Sequence, residues 1–452
     1  MPIFYRNAKV LSGEGLVFKR SMDFAVSAIL PTFWGVCNSF PSSTLHKTQS
    51  SRSTQRPHIV IGITSAQTCL VLGGRLRTLR EAGFRVTLVS SPGVLLTRTA
   101  ALEGVESVAI PMQREMAPSA DLVSLARLWW LLFRLKPDMT EFSTPKAGLL
   151  GSIAALLCGV PTRVYFLRGL KLESSSGLKR HILLAAEKLA SACSHAVLCN
   201  SDSLRNEVRD LGLAPERKLR LLGSGSSNGV DVERFHPGPG HLRAHLGLPL
   251  NAPVVGFVGR LTRDKGLPEL VEAFDTILAA KPNAHLLLVG WFDAAEDALD
   301  PALCARIRNH PRIHLTGFVA DTAPYYRVMD VMVLPTWREG FPNAVLEAAA
   351  TGIAVVTTLS TGSRDAVVPE VTGLLIPPGY PAAISEAVLK LLGNSQRRCR
   401  MGQAARAWVL DHYVNGRVLS RTVHYYKSLL DRHRPRKSKI GSLSGDSVLN
   451  PV

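Results

Sequence analysis

Short apolar runs alternate with longer stretches of helical spacing from His58 onward. The first runs are rich in β-branched residues, which is typical of buried strands: His58–Thr64, Arg85–Ser90, Ser107–Pro111, Asp138–Ser143, Arg163–Leu167, His195–Asn200 and Lys218–Leu222. The stretches between them predict helices: Leu72–Ala82, Ala120–Leu135, Ala147–Cys158, Leu178–Ala192 and Asp202–Leu211. This alternation predicts a parallel sheet with helices on both faces, because each right-handed crossover between parallel strands needs a helix.

A segment rich in proline and glycine at 235–240 interrupts the pattern, which then restarts. The second series of strands comprises Val254–Val258, His285–Val289, Arg312–Thr316, Val331–Pro335 and Ile353–Thr358. The second series of helices comprises Leu267–Ala280, Pro301–Arg308, Ala323–Met329, Pro342–Ala350 and Pro381–Leu392. The fold class is therefore α/β, with two Rossmann-like, doubly wound parallel-sheet domains that face each other across a cleft. Ligands of such sheets bind beyond the carboxyl ends of the strands.

The length of 452 residues fits two domains and an additional segment. We expect an atypical N-terminal extension over 1–56, a first domain over 57–235, a second domain over 236–410, and a C-terminal region over 411–452. The last region should contain a helix that crosses back to the first domain, followed by a basic tail. The apolar stretch Phe24–Val36 is shorter than the roughly 20 residues of a spanning helix. A disordered extension, or a start site assigned too far upstream, is favoured over a membrane element there.

Composition narrows the class of protein. Hydrophobic residues make up 46% and charged residues 19%, as in a globular protein rather than a disordered chain or a multi-span membrane protein. The 7 cysteines are scattered without a C-x-x-C pair, which favours reduced thiols in the cytosol. The formal net charge of +18 is compatible with nucleic acid, an anionic membrane surface or an anionic substrate, and charge alone does not choose among them.

The segment Arg338–Ala348 follows the predicted strand Val331–Pro335 and opens a helix. Pro342 suits the first turn of that helix, where no amide is needed, and the free amides at the helix start favour an anion such as pyrophosphate. Glu339 stays on the loop, while Glu347 lies about 7 Å further along the helix. The two carboxylates can therefore contact different parts of one extended ligand. A lone Glu is most often a surface residue, but the apolar neighbours of Glu347 require a partner for its charge.

A basic loop, Gly259–Gly266, follows the first predicted strand of the second series. Gly259 permits close backbone approach, and Arg260 and Lys265 place two cations at the carboxyl end of a strand. These features suit a phosphate, although the spacing of a P-loop is absent. By itself the loop leaves both a phosphate site and a solvated turn open.

Together, Gly259-Arg260, Lys265-Gly266 and the pair Glu339 and Glu347 resemble the donor site of family-4 retaining glycosyltransferases with the GT-B fold. The likeness extends over residues 58–430. The segments 143–148, 168–170 and 223–231 resemble the capsular and O-antigen polysaccharide branch of that family, whose members extend glycans on undecaprenyl diphosphate.

The resemblance implies roles for individual residues. It implies that Arg260 and Lys265 hold the diphosphate and stabilise the leaving group, an electrostatic form of catalysis. Glu339 would be the third catalytic residue, in contact with the donor sugar, and Glu347 would accept hydrogen bonds from the ribose. The other donor-binding positions that it implies are Gly259, Gly340, Phe341, Pro342 and Asn343.

The reaction implied by the resemblance is transfer of a hexose or N-acetylhexosamine from a nucleotide-diphosphate sugar, with UDP as the expected nucleotide. The sugar would keep its anomeric configuration. The acceptor would be a lipid-linked glycan in capsule, O-antigen or exopolysaccharide synthesis. No cofactor and no metal are expected, and the sequence contains no Asp-x-Asp motif that could bind a metal-bridged diphosphate.

The first domain departs from the family pattern. Many members carry a histidine near the donor sugar, at strand ends where this chain has Phe142-Ser143 and Leu167-Arg168. Lys146, Arg168 and Arg114 are the acceptor-side candidates, and an ordinary surface position stays open for each. The expected location is cytoplasmic and peripheral, at the inner face of the membrane.

Two other hypotheses remain. A nucleotide-sugar epimerase of the same fold would share the phosphate site but would accept no second sugar. A non-catalytic nucleic-acid-binding protein would explain the positive charge, but no zinc pattern or RNA-recognition motif supports it, and no nucleic-acid partner is expected.

Overall fold

The computed structural model describes residues 56–293 and 297–433. The predictions for the N-terminal segment 1–55 and for the basic tail beyond residue 433 lie outside the described residues.

The first sheet has seven parallel strands in the order β3-β2-β1-β4-β5-β6-β7. The strands are β1 His58–Gly62, β2 Arg85–Ser90, β3 Glu106–Ala109, β4 Met139–Ser143, β5 Thr162–Leu167, β6 Ala196–Cys199 and β7 Leu219–Leu221. Ile59 of the interior strand β1 lies opposite Val86 on one side and Met139 on the other. The order reverses between β1 and β4, so this switch point opens a crevice at the carboxyl ends of these strands.

Helices cover both faces of this sheet. They are α1 Arg75–Glu81, α2 Val94–Glu103, α3 Pro118–Leu135, α4 Pro145–Leu157, α5 Gly177–Cys193 and α6 Asp202–Asp210. One face packs against α1, α2 and the last helix of the described chain, through Leu76, Leu96 and Leu429. The other face packs against α3 to α6, through Leu128 and Leu204 among others.

The second sheet has six parallel strands in the order β10-β9-β8-β11-β12-β13. The strands are β8 Val254–Val258, β9 His285–Val289, β10 Ile313–Leu315, β11 Val331–Leu334, β12 Ala354–Thr358 and β13 Gly373–Ile376. The helices of this half are α7 Leu267–Ala280, α8 Pro301–Asn309, α9 Ala323–Tyr326, α10 Asn343–Ala350 and α11 Pro381–Leu392. The interior strands are buried along their whole length, as expected where helices cover both faces.

Two elements were absent from the sequence prediction. The helix α2 carries exposed apolar residues such as Val94 and Leu102, and these obscure its helical spacing. The strand β13 is a run of only four residues at the sheet edge, too short to stand out as a periodic pattern.

Some predicted boundaries were wrong. The predicted helix Leu72–Ala82 starts later, at Arg75 of α1. Gly73 and Gly74, the latter with a φ of 74°, separate α1 from a preceding 3₁₀ helix, Ala66–Leu72. The last part of the described chain forms two helices, α12 Ser395–His412 and α13 Asn415–His433. They separate at Tyr413-Val414, where Val414 forms a bridge with Val230 of the interdomain segment.

The helix α13 returns to the first half of the chain. Its residues Tyr426, Leu429 and Leu430 are buried within the apolar cluster on the α1 side of the first sheet. The domain limits at 235/236 and 410/411 stay predictions, whereas the fold class, two Rossmann-like parallel sheets, is confirmed. Among the helices of the described ranges, none is both long enough and apolar enough to cross a bilayer.

Candidate active site

A cleft of about 380 Å³ lies between the carboxyl ends of the two sheets. The first half contributes strand-end and loop residues to its lining: Thr68, Val71, Thr144, Arg168, Gly169, Leu170, Asn200 and Ser227. The second half contributes Val258, Gly259, Arg260, Asp264, Lys265, Leu334, Arg338, Glu339, Gly340, Phe341, Pro342, Asn343 and Ala344. Both motifs of the second half, which lie far apart in the sequence, therefore meet in one cleft.

The basic loop turns tightly as it leaves β8. Residues Arg263–Lys265 form a 3₁₀ turn, and Gly266 ends it in the left-handed region with a φ of 72°. A β-carbon at Gly266 would collide with the carbonyl oxygen of Pro335, so only glycine lets this loop pack against the end of β11. This packing brings Lys265 beside Glu339.

Two ion pairs join the basic loop to the loop after β11. The Nζ of Lys265 lies 2.5 Å from Oε1 of Glu339, and Nη2 of Arg338 lies 2.9 Å from Oδ2 of Asp264. Burial alone would raise the pKa of Asp264, but the charges of Lys265 and Arg338 and a hydrogen bond from Thr262 outweigh it and lower that pKa. Asp264 is therefore a carboxylate that fixes the position of Arg338.

Arg260 pairs with Asp293, which follows β9. The separation of Nη1 of Arg260 and Oδ2 of Asp293 is 2.9 Å, and Nη1 of Arg114, from the first half, lies 3.1 Å from the same oxygen. Burial would raise the pKa of Asp293, but the hydrogen bonds from Arg260 and Arg114 lower it overall. One carboxylate thus links a donor-site candidate of the second half to an acceptor-side candidate of the first half.

The helix α10 begins at the cleft. Pro342 is its N-cap, so the helix starts at Asn343; the prediction that Pro342 lies inside the first turn was wrong by one residue, because its ψ of 105° is extended. Gly340 touches the first half: a β-carbon there would collide with the carbonyl oxygen of Arg168. Phe341 packs against Tyr413, with ring centroids 5.2 Å apart. The loop that holds Glu339 is therefore supported from both halves.

The amide side chain of Asn343 has an oxygen that lacks a hydrogen-bond donor. Its Oδ1 is buried and finds no hydrogen-bond partner within the described ranges. Buried polar atoms are normally partnered, and this residue lines the cleft at the start of α10. An incoming ligand can supply the missing donor.

Glu347 lies one helical turn beyond Asn343 and is not among the residues that line the cleft. Its Oε2 accepts a hydrogen bond of 2.8 Å from the hydroxyl of Tyr326 and one of 3.5 Å from Thr322. Burial raises the pKa of Glu347 to about 7, although the hydrogen bond from Tyr326 opposes the change. This carboxyl group is therefore anchored on one oxygen beside the cleft.

Arg168 is the acceptor-side candidate that the cleft contains. Its guanidinium lies over the ring of Phe166, 4.5 Å from the centroid, and its Nε and Nη2 have no hydrogen-bond partner within the described residues. Burial and the nearby charge of Arg75 lower the pKa of Arg168 to about 10, so it remains a cation at neutral pH.

Lys146 and Arg114 are not among the cleft-lining residues. The Nζ of Lys146 lies 2.6 Å from Oδ1 of Asp121 at the start of α3, and it also donates to the carbonyl oxygen of Glu115. Arg114 is held by Asp293, as described above. Both residues lie on the first-half side of the molecule, and both are engaged by acidic partners in this structure.

Sequence reasoning assigned no role to Asp293, Asp264, Arg338, Thr144 or Asn200. A signal existed for several of them, because Asn200 is the last residue of a predicted strand, and Asp293 and Thr144 each come shortly after one. Asp264 and Arg338 lay within the quoted motifs, but their pairing became visible only in three dimensions. Within the described ranges, no group of three or more His, Cys, Asp or Glu residues is arranged to hold a metal ion.

Comparison with known proteins agrees with this architecture. Residues 73–225 match the family described as "Glycosyl transferase 4-like domain", and residues 252–394 match "Glycosyl transferases group 1". The chain is 34% identical over 369 residues to the capsular polysaccharide biosynthesis glycosyltransferase CapM of Staphylococcus aureus, which covers 81% of this chain and 96% of that protein.

Two further similarities concern a second relative and a solved structure. The chain is 30% identical over 298 residues, 64% of this chain and 76% of the relative, to the UDP-Gal:alpha-D-GlcNAc-diphosphoundecaprenol alpha-1,3-galactosyltransferase of Escherichia coli. The crystal structure of Anabaena Alr3699/HepE in complex with UDP and glucose superposes with a TM-score of 0.70 at 20% identity, over 82% of this chain and 100% of that chain.

The chain belongs to the group 1 and 4-like family of glycosyltransferases, and its two facing Rossmann-like sheets are the GT-B fold. The resemblance to family 4, including its capsular and O-antigen branch, is thereby confirmed.

Proposed function

We propose that this glycosyltransferase moves a hexose or N-acetylhexosamine from a UDP-sugar to a lipid-linked glycan, with retention at the anomeric carbon and without a metal ion. The acceptor is a glycan on undecaprenyl diphosphate in the synthesis of a capsule, O-antigen or exopolysaccharide. The protein acts in the cytoplasm, peripherally at the inner face of the membrane.

The observation that carries the donor assignment is the convergence of Arg260, Lys265 and the start of α10 on one cleft. The two cations are paired with carboxylates, Arg260 with Asp293 and Lys265 with Glu339. A diphosphate offers more charge and better bidentate geometry than these partly exposed pairs, so it competes for both cations. The amides at the start of α10 add donors for its remaining oxygens.

In the proposed reaction an acceptor hydroxyl forms a bond to the anomeric carbon as the bond from that carbon to the diphosphate oxygen breaks. The products are the extended glycan, the nucleoside diphosphate and the proton of the acceptor hydroxyl. Negative charge develops on the departing oxygen, and Arg260 and Lys265 stabilise it. Glu339, released from Lys265, contacts the donor sugar, and Glu347 contacts the ribose with its second oxygen. Gly259, Gly340, Phe341, Pro342 and Asn343 shape the same subsite.

The acceptor assignment draws on the first half of the cleft and on the relatives. Arg168 presents a cation inside the cleft, and Arg114 and Lys146 lie outside its lining. The Escherichia coli relative is named for UDP-Gal and for an acceptor on diphosphoundecaprenol. An anionic diphosphate on the acceptor suits the cation that Arg168 places inside the cleft.

The proposal is tested by incubating the full chain with UDP-, GDP- and other nucleotide sugars, with and without polyprenyl-diphosphate-linked acceptors, and with EDTA. We expect release of UDP together with a gain of one sugar mass on the lipid, unchanged by EDTA. An epimerised donor without a new glycosidic bond would instead support the epimerase hypothesis. Release that requires an added divalent cation, or an inverted product, would overturn the corresponding part of the proposal.

A further inference from the structure

Three neighbouring helices of the first half, α3, α4 and α5, present apolar side chains outward. The helices lie side by side, α3 against α4 and α4 against α5, on the face of the first sheet opposite α1. The exposed apolar residues of this layer, here named the α3–α5 face, are Leu122, Val123 and Phe133 on α3, Leu156 and Leu157 on α4, and Leu178, Ile182 and Leu189 on α5.

The spacing along α5 distinguishes this surface from scattered exposed leucines. Leu178, Ile182 and Leu189 fall on one outward stripe of the helix, which is normally polar on a water-facing helix. Leu189, towards the end of α5, is 46% exposed, and Leu157, at the same end of the adjacent helix α4, is 55% exposed. Contiguous apolar patches of this kind mark interaction surfaces.

Aromatic residues extend the face along α3. The rings of Trp129 and Phe133 stack with centroids 5.8 Å apart, and those of Trp130 and Phe133 with centroids 6.1 Å apart. The guanidinium of Arg134 lies 5.5 Å from the centroid of Trp130. Tryptophan beside arginine is the combination that suits the boundary between acyl chains and headgroups.

The exposed charges on the three helices are of one sign. Their acidic residues are Asp121 and Glu187. Asp121 is paired with Lys146, and Glu187 is buried, where it accepts a 2.6 Å hydrogen bond from Tyr165. The exposed charges on these helices are therefore basic: Arg127, Arg134 and Lys188.

The apolar residues and the basic charges of the α3–α5 face together indicate what binds there. An apolar face edged by cations is complementary to a bilayer leaflet that contains anionic lipid. A second copy of the same face would bring like charges together, which disfavours an isologous dimer.

The face adjoins the cleft at one end. The helix α4 begins at Pro145, directly after the cleft-lining residue Thr144. Just before α5, the hydroxyl of Ser174 accepts a 2.9 Å hydrogen bond from Nε of Arg338, another cleft residue. A surface that contacts the starts of α4 and α5 therefore reaches the rim of the cleft.

We propose that the α3–α5 face docks on an anionic phospholipid leaflet, with its apolar side chains among the acyl chains and its basic residues at the phosphate level. The inference rests on the proposed function, because it places the opening of the cleft where a lipid-linked acceptor has its diphosphate. It adds the docking surface and the class of lipid.

The experiment measures flotation of the full chain with vesicles of phosphatidylcholine alone and of phosphatidylcholine with phosphatidylglycerol, at low and high salt. The wild-type chain should bind the anionic vesicles, and binding should weaken as salt is raised. The variant Leu157→Glu with Leu189→Glu should bind them at least about tenfold more weakly, because it puts carboxylates among anionic headgroups. The matched control is Leu102→Glu, a 63% exposed leucine on α2, on the opposite face, and it should bind like the wild type.

Release of UDP from the donor, measured in detergent without vesicles, reports whether each variant is folded. Loss of vesicle binding with donor use intact supports the docking face, whereas a wild-type chain that binds vesicles but never uses a donor refutes the proposed function alone. Vesicle binding by the double variant equal to that of the wild type would overturn the inference. So would a wild-type dimer in gel filtration that the double variant converts to a monomer while vesicle binding is unchanged.

Discussion

Two clusters of charge in this molecule use the same residue types differently. In the first half, Arg75 and Glu141 are 1% and 0% exposed, and Nη2 of Arg75 lies 2.7 Å from Oε2 of Glu141. In the cleft, Lys265 and Glu339 are 15% and 16% exposed, and Arg260 with its partner Asp293 is 33% and 13% exposed.

The first cluster lies wholly in the interior of the protein. The hydroxyl of Tyr426, from α13, donates a hydrogen bond to Oε2 of Glu141 and accepts one of 2.9 Å from Nη2 of Arg75. The Nη1 of Arg75 donates a hydrogen bond to the carbonyl oxygen of Ser227. It therefore joins α1, the central strand β4, the last helix and a cleft loop. The pairs in the cleft remain accessible, so a ligand can replace one partner.

The comparison indicates that burial decides the role of an ion pair. A fully buried pair stabilises the fold, whereas a partly exposed pair can exchange one partner for a ligand. A buried pair that loses one partner leaves an uncompensated charge in the interior. A partly exposed pair loses little, because water and the other groups of the cleft solvate what remains.

The largest effect should follow from breaking the buried pair. Arg75→Met should lower the free energy of unfolding by about 3–5 kcal/mol, because it leaves the Glu141 carboxylate buried without its cation. Chemical denaturation should show a clearly earlier midpoint. Arg75→Met combined with Glu141→Leu should lose less than Arg75→Met alone, and equal losses would contradict the role of the charge.

A large kinetic effect should follow from Lys265→Ala. Removing a group that stabilises the leaving diphosphate should lower kcat by about 10²–10³-fold while stability stays nearly unchanged. Initial rates of UDP release and a denaturation curve measure both. The control is Lys390→Ala, since Lys390 also pairs with a glutamate, Glu370, but on the exposed surface at 3.8 Å. A kcat of Lys265→Ala within threefold of the wild-type value would show that Lys265 does not stabilise the leaving group.

A moderate effect should appear in the pH dependence of donor binding. Burial raises the pKa of Glu347 to about 7, so the carboxyl group becomes neutral as pH falls below 7 and accepts ribose hydroxyls poorly. The KM for the donor should rise up to about tenfold per pH unit below that pKa. Glu347→Gln should show a high KM that no longer varies over the same pH range.

The carboxyl group of Glu347 should also make the free energy of unfolding depend on pH. The folded state binds this proton more tightly than the unfolded state, because the pKa is raised on folding. Its contribution is therefore present at low pH and is lost as pH rises towards about 7. Wild type and Glu347→Gln should diverge in denaturation midpoint across this window, and a constant difference would show that another group is responsible.

The smallest effect should come from an exposed pair. Arg306 and Asp275 lie 2.5 Å apart with both side chains about half exposed. Arg306→Ala should change the free energy of unfolding by less than about 1 kcal/mol. A loss as large as that of Arg75→Met would break the comparison on which the other predictions depend.

Much of the fold could be predicted from the chain because its determinants are local. Strands such as Val254–Val258 are continuous apolar runs, and the basic loop follows one of them at the point where parallel sheets bind ligands. The edge strand β13 and the helix α2 were missed, since a four-residue strand and a helix with exposed leucines carry little periodic signal.

The sequence alone determined two alternating series of strands and helices and the positions of Arg260, Lys265, Glu339 and Glu347 at the ends or starts of those elements. It could not determine which charged side chains form pairs with one another. Glu141 lies 66 residues from Arg75 and 285 from Tyr426, and only the packed sheet brings them together. Likewise, Asp293 reaches Arg260 and Arg114 because loops that follow three different strands come together between the two halves of the molecule. Pairing of this kind depends on distances through space, and these distances are set by the tertiary fold.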